Sequence, residues 1–451
     1  RPCGSVQYQF VWLMSGMIIA LVKYVFAVTC AIMVHESGGK AGEESVFASR
    51  VGIGVNMQLA CMFVGQFVIV PFTGVGVTVA GPDVVAAIFA SAMAEIIAEE
   101  VPSNDPGGAL ATLLVALTLT TLTCGITWLL IGYLKGARIV DYMPVAVVCG
   151  FLGCLAYKVV YYCIKISVGK QWYHPESWEF WKLLLPVVPL GLGLYYLKKY
   201  HHHLHLNPIV ILALFMFVPP TIMFSTMAGM GQSLDDLRYD GWLFSKMNDT
   251  RFTEPWEELN FHNVSVSALG LCIPSVFTTV IVVTIALLIN IQAIKQGLDM
   301  PYVDAAREMK VNGWCNVIGT FFVAAPAYTQ IKFTLLNYHI IGNKHDKKPG
   351  LFAGCFALIM AGGGFMLINF LPRITLGMLL LYAGMPLIED NLIFSYNRVT
   401  KKEFVTIWII VIVNAVAGNY TPYAFLIAVI TGLVLATIIF AVQYGRNPVI
   451  R

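Results

Sequence analysis

The segment from Gly74 to Glu100 carries the residues of this sequence that are best placed to do chemistry. It reads GVGVTVAGPDVVAAIFASAMAEIIAEE. The alternation of valine and glycine predicts a short strand, Gly81 and Pro82 interrupt it, and an alanine-rich apolar helix follows. Asp83 is the first residue after the break, where the free backbone N–H groups and the dipole of the helix favour a negative charge. This carboxylate either caps the helix or binds a cation or a proton.

The composition places this segment in a membrane protein. The chain has 451 residues, of which 58% are hydrophobic and 12% are charged, and its mean hydropathy is +0.75. Its ten cysteines show no metal-binding spacing and are expected to be small core residues. A helix can break inside a bilayer only where protein or a water-filled cavity surrounds the break, and a charged side chain at that depth indicates a functional site. We therefore expect the lipid bilayer, and no nucleic acid, as a partner.

Windows of about 20 apolar residues predict fourteen transmembrane elements. Two of them are short half-helices, at 83–100 and 327–341. The others are predicted near 9–34, 51–71, 107–134, 140–165, 178–197, 208–227, 265–295, 310–323, 350–371, 374–393, 403–418 and 422–443.

The lysines and arginines predict the orientation. If the N-terminus is cytosolic, thirteen of them lie in cytosolic connections and six in the opposite ones, once the long loop at 228–264 is discounted. Both termini are then cytosolic. The same loop holds two glycosylation sequons, at Asn248 and Asn263, on the predicted outer or lumenal side. We expect a multi-pass protein of an endomembrane such as the vacuole, or of the plasma membrane.

The two half-helices occupy matching places in two halves of the chain. The break at Gly81 and Pro82 in residues 1–227 has its counterpart at 324–329 in residues 265–451. Interrupted hydrophobic segments at corresponding positions are typical of inverted repeats with a binding site near the middle of the membrane. The sequence therefore predicts seven elements in each repeat, with 228–264 as the connecting loop.

Three segments resemble the sulfate permease (SulP, SLC26-like) family. They are RIVDYMPVAVVCGFLGCLAY at 138–157, VTVAGPD at 77–83 and INIQAIKQGLDMPYVDAAREMKVNGWCNVIGTF at 289–321. The resemblance, which extends over roughly 10–440, implies an all-α polytopic fold of the UraA/SLC26 type, with 7+7 inverted repeats and short strands before the half-helices. It also implies a core domain of elements 1–4 and 8–11, a gate domain of elements 5–7 and 12–14, and a homodimer. Family members commonly continue into a cytosolic STAS domain, and we expect none in this sequence, where 443–451 follow the last predicted helix.

The site positions depart from the family pattern, in which anions are held between the third and tenth elements. Asp83 stands where many relatives have a small hydroxyl residue, Phe26 stands near a glutamine position, and Lys332 or Phe333 aligns with an expected arginine. An ionised carboxylate there repels an anion, so Asp83 favours a cation, an amino acid or proton coupling. The segments GVTVAGPDVVAAIFASAMA and INIQA are similar to a eukaryotic SulP-like subgroup of fungal vacuoles that is associated with basic amino acids.

The predicted substrate site draws on both repeats. Asn290 and Gln292 lie where many relatives have an acidic coupling residue, and their amides either coordinate substrate or hydrogen-bond between helices. Lys332 is expected to neutralise Asp83 across the gap, which suits a zwitterion. The full predicted set is Gly81, Pro82, Asp83, Val84, Phe26, Asn290, Gln292, Tyr328, Thr329, Gln330 and Lys332, in which Tyr328–Gln330 offer hydroxyl and N–H groups.

Two lysines within predicted spans, Lys23 and Lys158, are expected to face a cavity or a partner, and Lys158 is expected to pair with an acidic residue. Three carboxylates are predicted near the outer mouth, and a histidine cluster at a cytosolic helix end is either a solvated patch or a metal or pH-sensing site. These residues are Glu95, Glu99 and Glu100, and His201, His202, His203 and His205.

Together these features predict a secondary active transporter of small ions or amino acids that works by alternating access. The sequence has no P-loop, so we expect neither ATP-driven transport nor an enzymatic activity, and no cofactor. Two alternatives stay open: a SulP-like anion exchanger for sulfate, bicarbonate or chloride, and a non-transporting structural subunit of a larger membrane assembly.

Overall fold

The computed structural model describes residues 6–37, 45–102, 105–136, 144–200, 208–246, 250–363, 368–418, 420–421 and 423–446. Within these ranges nine helices are long and apolar enough to span a membrane, by length and composition. Each of the fourteen predicted elements has a helical counterpart. The helices are α1 Val6–His35, α2 Val51–Phe72, α3 Val84–Glu100, α4 Pro106–Tyr133, α5 Val145–Val168, α6 Trp178–Leu184, α7 Val187–Lys199, α8 Pro208–Gly229, α9 Leu234–Tyr239, α10 Glu254–Glu257, α11 Val266–Gly297, α12 Ala305–Phe321, α13 Ile331–Ile341, α14 Lys348–Gly363, α15 Arg373–Ile388, α16 Lys401–Ala417 and α17 Ala424–Arg446.

The structure corrects the predicted elements at two places. The sixth element, predicted as one helix at 178–197, is two helices, α6 and α7. Pro186 and Pro189 lie at the junction, and because proline has no N–H the helical hydrogen bonds cannot continue through it. The connecting loop contains two short helices, α9 and α10. The first of them begins with a capping box in which Ser233 and Asp236 satisfy each other's backbone N–H groups.

The helices pack in two groups. Helices α1–α4 and α11–α14 contact mainly one another, and α5–α8 contact mainly α15–α17. The most extensive contact joins α4 to α12, one helix from each half. A Cβ atom on Gly125 would lie 3.0 Å from the Gly313 carbonyl oxygen, and one on Gly313 would lie 3.0 Å from that of Gly125. Small residues bring helix backbones this close when no hydrophobic effect drives helices together in lipid.

Two very short strands, one from each half of the chain, pair with each other just before the half-helices. Strand β1, Ala80–Gly81, pairs antiparallel with β2, Tyr328–Thr329, with Ala80 opposite Thr329. The predicted strand over 75–79 is wrong, because this segment contains a turn in which the Thr78 N–H donates to the Val75 carbonyl at 3.2 Å. Strands and half-helices in both halves confirm the predicted all-α polytopic fold with two interrupted segments.

Side chains of the second half form hydrogen bonds with the non-helical segment that precedes β1 in the first half. Glu308, only 2% exposed, accepts hydrogen bonds from the Thr73 hydroxyl and the Gly74 N–H, both at 2.7 Å. On α13, Asn337 donates to the Val77 carbonyl at 2.9 Å, and the Thr334 hydroxyl accepts from the N–H of Val79 at 3.1 Å. Lipid offers no such partners, so these contacts allow an unwound segment at this depth.

Candidate functional site

The first half-helix begins with a carboxylate that the second half contacts. Asp83 is the N-cap of α3 and accepts from the Val85 N–H at 3.5 Å. The buried Tyr328, on β2, donates its hydroxyl to Asp83 Oδ2 at 2.5 Å. Gly81 has φ +141°, a backbone conformation that residues with a Cβ atom rarely adopt. A Cβ atom at this position would also lie 3.0 Å from Lys23 Cε. Strand pairing and this crowding fix the position of Asp83.

A buried lysine bridges the beginnings of the two half-helices. Lys23 has no exposed surface, and its Nζ donates to Gln330 Oε1 at 2.6 Å and to the Pro82 carbonyl at 3.2 Å. Gln330 Nε2 donates to the carbonyls of Pro82 and Gly81, at 2.6 and 3.1 Å. The Lys23 Nζ also lies 4.6 Å from the centre of the Phe333 ring.

Lys23 therefore contacts partners in the described chain, as expected of a charged residue within a span. Its hydrogen-bond partners are an amide and a carbonyl oxygen. The break after Gly81 leaves the Pro82 carbonyl without a helical hydrogen bond. This oxygen accepts a hydrogen bond from Lys23, a contact that the sequence pattern does not indicate.

A cavity of about 390 Å³ lies in front of both half-helices. We call it the central cavity. Its walls come from both helix groups, because α1, α3, α11 and α13 face α5, α7, α8 and α15 across it. It is lined by Val22, Phe26, Pro82, Asp83, Val84, Val85, Leu152, Leu155, Val159, Lys198, Leu212, Ala286, Ile289, Asn290, Gln330, Ile331, Lys332, Phe333, Leu336, Tyr382, Ala383, Pro386, Leu387, Asp390 and Asn391.

The charged groups of the central cavity are not paired as the sequence predicts. Lys332 Nζ donates to the Ala383 carbonyl at 3.4 Å and lies 5.9 Å from the centre of the Tyr382 ring. No ion pair joins Lys332 to Asp83 in the described part of the chain. The expected neutralisation therefore does not take the form of an ion pair among these residues, because Lys332 reaches α15 on the far wall. The cavity keeps a carboxylate and an ammonium group apart.

Most of the predicted site residues meet at this cavity. Phe26, Pro82, Val84, Asn290 and Gln330 line it. The amide oxygen of Asn290 accepts from the first N–H of α13, that of Ile331, at 3.0 Å, so one side chain both hydrogen-bonds between helices and faces the cavity.

Four predicted residues, Gly81, Gln292, Tyr328 and Thr329, do not line the cavity. Tyr328 lies behind Asp83, and Thr329 is buried against Asn312, which accepts from its backbone N–H at 3.0 Å. Gln292 is exposed and points elsewhere, since a helix places residues two apart on different faces.

Most of the other cavity residues were not predicted, and four of these are polar: Lys198, Tyr382, Asp390 and Asn391. Lys198, Tyr382 and Asp390 line the wall opposite Asp83, and Lys198 Nζ donates to the Tyr382 hydroxyl at 2.5 Å. Asp390 lies in a π-helical segment, Glu389–Ile393, that continues α15. An inserted residue of this kind often marks a functional site, but sequence periodicity alone does not reveal it.

The remaining predicted features lie elsewhere. Lys158 lines a second cavity together with Glu95 and Glu99, so the structure brings that lysine near carboxylates as expected. Asn263 is exposed at the end of a 3-10 turn just before α11. Asn248 and the histidine cluster at 201–205 lie outside the described residues.

Comparison with known proteins agrees with this architecture. The sequence profile of the Sulfate permease family matches residues 46–411. The chain belongs to this family. Its fold is similar to the transmembrane domain of the cyanobacterial bicarbonate transporter BicA, with 16% identity, a TM-score of 0.60, and 94% of this chain and 97% of that chain covered. It is also similar to murine Slc26a9, an anion transporter in the inward-facing state, with 13% identity, a TM-score of 0.61, and coverage of 96% and 69%.

A third relative is named for a different class of substrate. The chain is 24% identical over 369 residues to the vacuolar basic amino acid transporter VSB1 of Saccharomyces cerevisiae. The match covers 79% of this chain and 34% of the relative, so the chain spans about a third of that protein's length.

Proposed function

We propose that this chain forms the membrane part of a secondary active transporter for amino acids that carry a cationic group. The observation that carries the proposal is the separation of opposite charges in the central cavity. Asp83 faces the cavity with a neutral hydroxyl as its partner, and Lys332 lines the same cavity without pairing with it. A substrate with both an ammonium and a carboxylate group supplies the partner that each of them lacks.

The two helix beginnings suit the two ends of such a substrate. Asp83 attracts an ammonium or guanidinium group, and the first turn of α13, together with Lys332, offers positive charge to a carboxylate. The cavity is bounded by protein on both sides, so an ionic contact within it is stronger than at an open surface. The name of the yeast relative, a basic amino acid transporter, supports the same class of substrate.

Alternating access follows from where the cavity lies. We assign α1–α4 and α11–α14 to a core domain and α5–α8 and α15–α17 to a gate domain, with the central cavity at their boundary. Movement of one group against the other closes the cavity on one face and opens it on the other. Substrate or proton binding at Asp83 drives this movement only if it stabilises one arrangement more than the other.

Two alternatives make different demands on the site. An anion exchanger requires Lys332 and the α13 dipole to outweigh Asp83, and the names of the two structural relatives keep this possibility open. A structural subunit requires a filled site, and a cavity of about 390 Å³ with four charged side chains in its walls supports transport instead.

The test is uptake by the purified protein in proteoliposomes. The panel consists of arginine, lysine, neutral amino acids, sulfate and bicarbonate, each with and without a pH gradient. Arginine and lysine are expected to be taken up, and sulfate is not. Asp83→Asn keeps the shape of the side chain and removes its charge, so cationic uptake is expected to fall by about tenfold or more while abundance stays near that of the wild type.

Asp235→Asn is the matched control, because it removes an exposed carboxylate on α9, away from the cavity. Wild-type arginine uptake and unchanged pH dependence in Asp83→Asn would show that Asp83 does not hold the cation. Sulfate uptake by the wild type, or a gain of sulfate uptake in the variant, would favour the exchanger.

We further propose a homodimer in an endomembrane, with both termini cytosolic and glycans on the 228–264 loop. The positive charge distribution and the two sequons support this orientation. Crosslinking in native membranes tests the dimer, and glycosidase treatment tests the loop.

A further inference from the structure

A second cavity, of about 200 Å³, lies at the far end of α3. We call it the distal cavity. Its walls come from α3, from α5 and from the turn between α16 and α17 with the start of α17. It is lined by Ile88, Phe89, Ala92, Glu95, Glu99, Lys158, Tyr162, Gly418, Tyr420, Thr421, Ala424 and Phe425.

The two cavities lie along one interface. On α3, Val84 and Val85 face the central cavity, and Ile88 begins the distal one, a single turn later. On α5, Val159 lines the central cavity and its neighbour Lys158 lines the distal one. A 12-residue helical step from Asp83 to Glu95 corresponds to about 18 Å. The interface between α3 and α5 therefore carries polar space on both sides of a short apolar stretch.

Aromatic rings fill that stretch. Phe425 of α17 contacts Phe89 of α3 edge to face, with ring centres 4.8 Å apart, and contacts Phe151 of α5 in the same way at 5.0 Å. All three side chains are buried. We call these three residues the aromatic layer, and it joins the proposed core domain to the proposed gate domain.

The carboxylates of the distal cavity face its interior. Glu95 and Glu99 are four residues apart and so share one face of α3. Among the described residues neither forms a hydrogen bond or an ion pair, whereas the adjacent Glu100 accepts from the Ser267 hydroxyl at 2.6 Å. Lys158 of α5 stands in the opposite wall, with its Nζ 5.4 Å from the centre of the Tyr161 ring. Lys165, two turns further along α5, does not line the cavity.

The distal cavity thus repeats the chemistry of the central one, with carboxylates from α3 facing a lysine across the interface. We propose that the distal cavity is a second binding site on the substrate's path, which takes the ammonium or guanidinium group of an amino acid on Glu95 and Glu99. The aromatic layer is the barrier that separates the two sites. This inference rests on the proposed function.

The two cavities belong to opposite faces of the protein. From Glu100 the chain crosses three times, through α4, α5 and the pair α6–α7, before it reaches Lys198 in the wall of the central cavity. An odd number of crossings places Lys198 on the face opposite Glu100. Substrate that arrives from the α3 C-terminal face therefore meets the distal site first, and substrate from the other face meets the central cavity first.

The first experiment measures the KM for arginine from each face, in proteoliposomes sorted by orientation. Glu95→Gln is expected to raise the KM from the α3 C-terminal face by about fivefold, the effect of one partly solvated ionic contact. The KM from the other face is expected to stay the same. Glu99→Gln is expected to act in the same direction, and Glu100→Gln, whose carboxylate lies outside the cavity, is the matched control.

The second experiment reads occupancy without transport. Ala92→Cys places a thiol in the wall of the distal cavity, in a Cys355→Ser background because Cys355 is exposed. A membrane-impermeant maleimide added from the α3 C-terminal face is expected to label this thiol. Arginine is expected to slow the labelling, and sulfate at the same ionic strength is not. In the Glu95→Gln background the protection by arginine is expected to be lost.

The outcomes separate this inference from the proposed function. Wild-type protein that takes up no amino acid would overturn the proposed function. Wild-type uptake with an unchanged KM from both faces in Glu95→Gln and Glu99→Gln, and no protection of Ala92→Cys by arginine, would overturn the second site alone. Equal KM increases from both faces would show that Glu95 acts on the central cavity instead.

Discussion

The two half-helices begin in similar ways and present opposite chemistry. Each follows a two-residue strand, and the strands pair with each other. The beginning of α3 carries a carboxylate, Asp83, as its N-cap. The N-cap of α13 is Gln330, whose side chain does not cap the helix. The first N–H of α13 instead donates to the amide oxygen of Asn290. Lys332 lies two residues after Gln330.

This difference shows how two repeats of one backbone design form an asymmetric site. Two helix N-termini that point at one cavity both attract anions, because each has free N–H groups and a positive dipole. Asp83 reverses that preference at α3, and Lys332 strengthens it at α13. The resulting cavity distinguishes the two ends of a zwitterion, which a site with two equivalent N-termini cannot do.

The first variant removes Lys23, the side chain that connects the N-termini of α3 and α13. Lys23→Met keeps an unbranched side chain that is one atom shorter, and it takes away the donor to Gln330 and to the Pro82 carbonyl. Gln330 Oε1 then lacks its donor, at a cost of about 1–3 kcal/mol, whereas the Pro82 carbonyl still accepts from Gln330 Nε2. We expect the largest effect of all the variants here: a clear drop in melting temperature in detergent, and loss of uptake for every substrate.

Lys246→Met removes an exposed lysine in the connecting loop and serves as the control for that variant. If Lys23→Met melted and transported like the wild type, Lys23 would not hold the two beginnings together, and strand pairing alone would have to do so.

Much of this arrangement follows from local sequence. The Gly81–Pro82 break predicts where α3 begins, because proline suits the first turn and glycine tolerates the backbone angle found there. Asp83 was correctly predicted to lie at a helix start. The counterpart at 324–329 was recognised by its position in the second repeat. These features depend on a few neighbouring residues, so one sequence is enough to predict them.

Contacts between the repeats could not be predicted in this way. Lys23 and Gln330 are 307 residues apart, and nothing in the pattern indicates that an amide rather than a carboxylate meets the lysine. Lys332 was paired with Asp83 by charge alone, whereas the helix directs its side chain to the Ala383 carbonyl on α15. Side-chain direction across an interface depends on how helices pack, and periodicity does not fix that packing.

Lys332→Gln sharpens the comparison by testing which end of the substrate α13 holds. Lysine and cadaverine share an ammonium group, but cadaverine has no carboxylate. Removing the charge of Lys332 is expected to raise the apparent Kd for lysine by about tenfold, as for one charge-assisted contact, and to leave the apparent Kd for cadaverine nearly unchanged. Competition against labelled arginine uptake measures both values in one preparation.

Lys401→Gln, on the exposed first turn of α16, is the control for that charge change. An equal rise for lysine and cadaverine would mean that Lys332 tunes the general potential of the cavity and does not bind the carboxylate. The two helix beginnings would then act on the substrate together, not at separate ends.

The smallest effect is expected from a variant of Tyr328, which precedes α13 and contacts the carboxylate of Asp83. Tyr328→Phe removes the hydroxyl that donates to Asp83 Oδ2 and keeps the ring, which packs edge to face against Trp128 with centres 6.2 Å apart. Because Asp83 also faces the cavity, water can replace the lost donor, and we expect arginine uptake to fall by only about threefold. Tyr302→Phe, an exposed tyrosine, is the control. A loss as large as that in Asp83→Asn would mean that the hydroxyl from the second repeat determines what the carboxylate of the first repeat can bind, and the two beginnings would form a single charged unit.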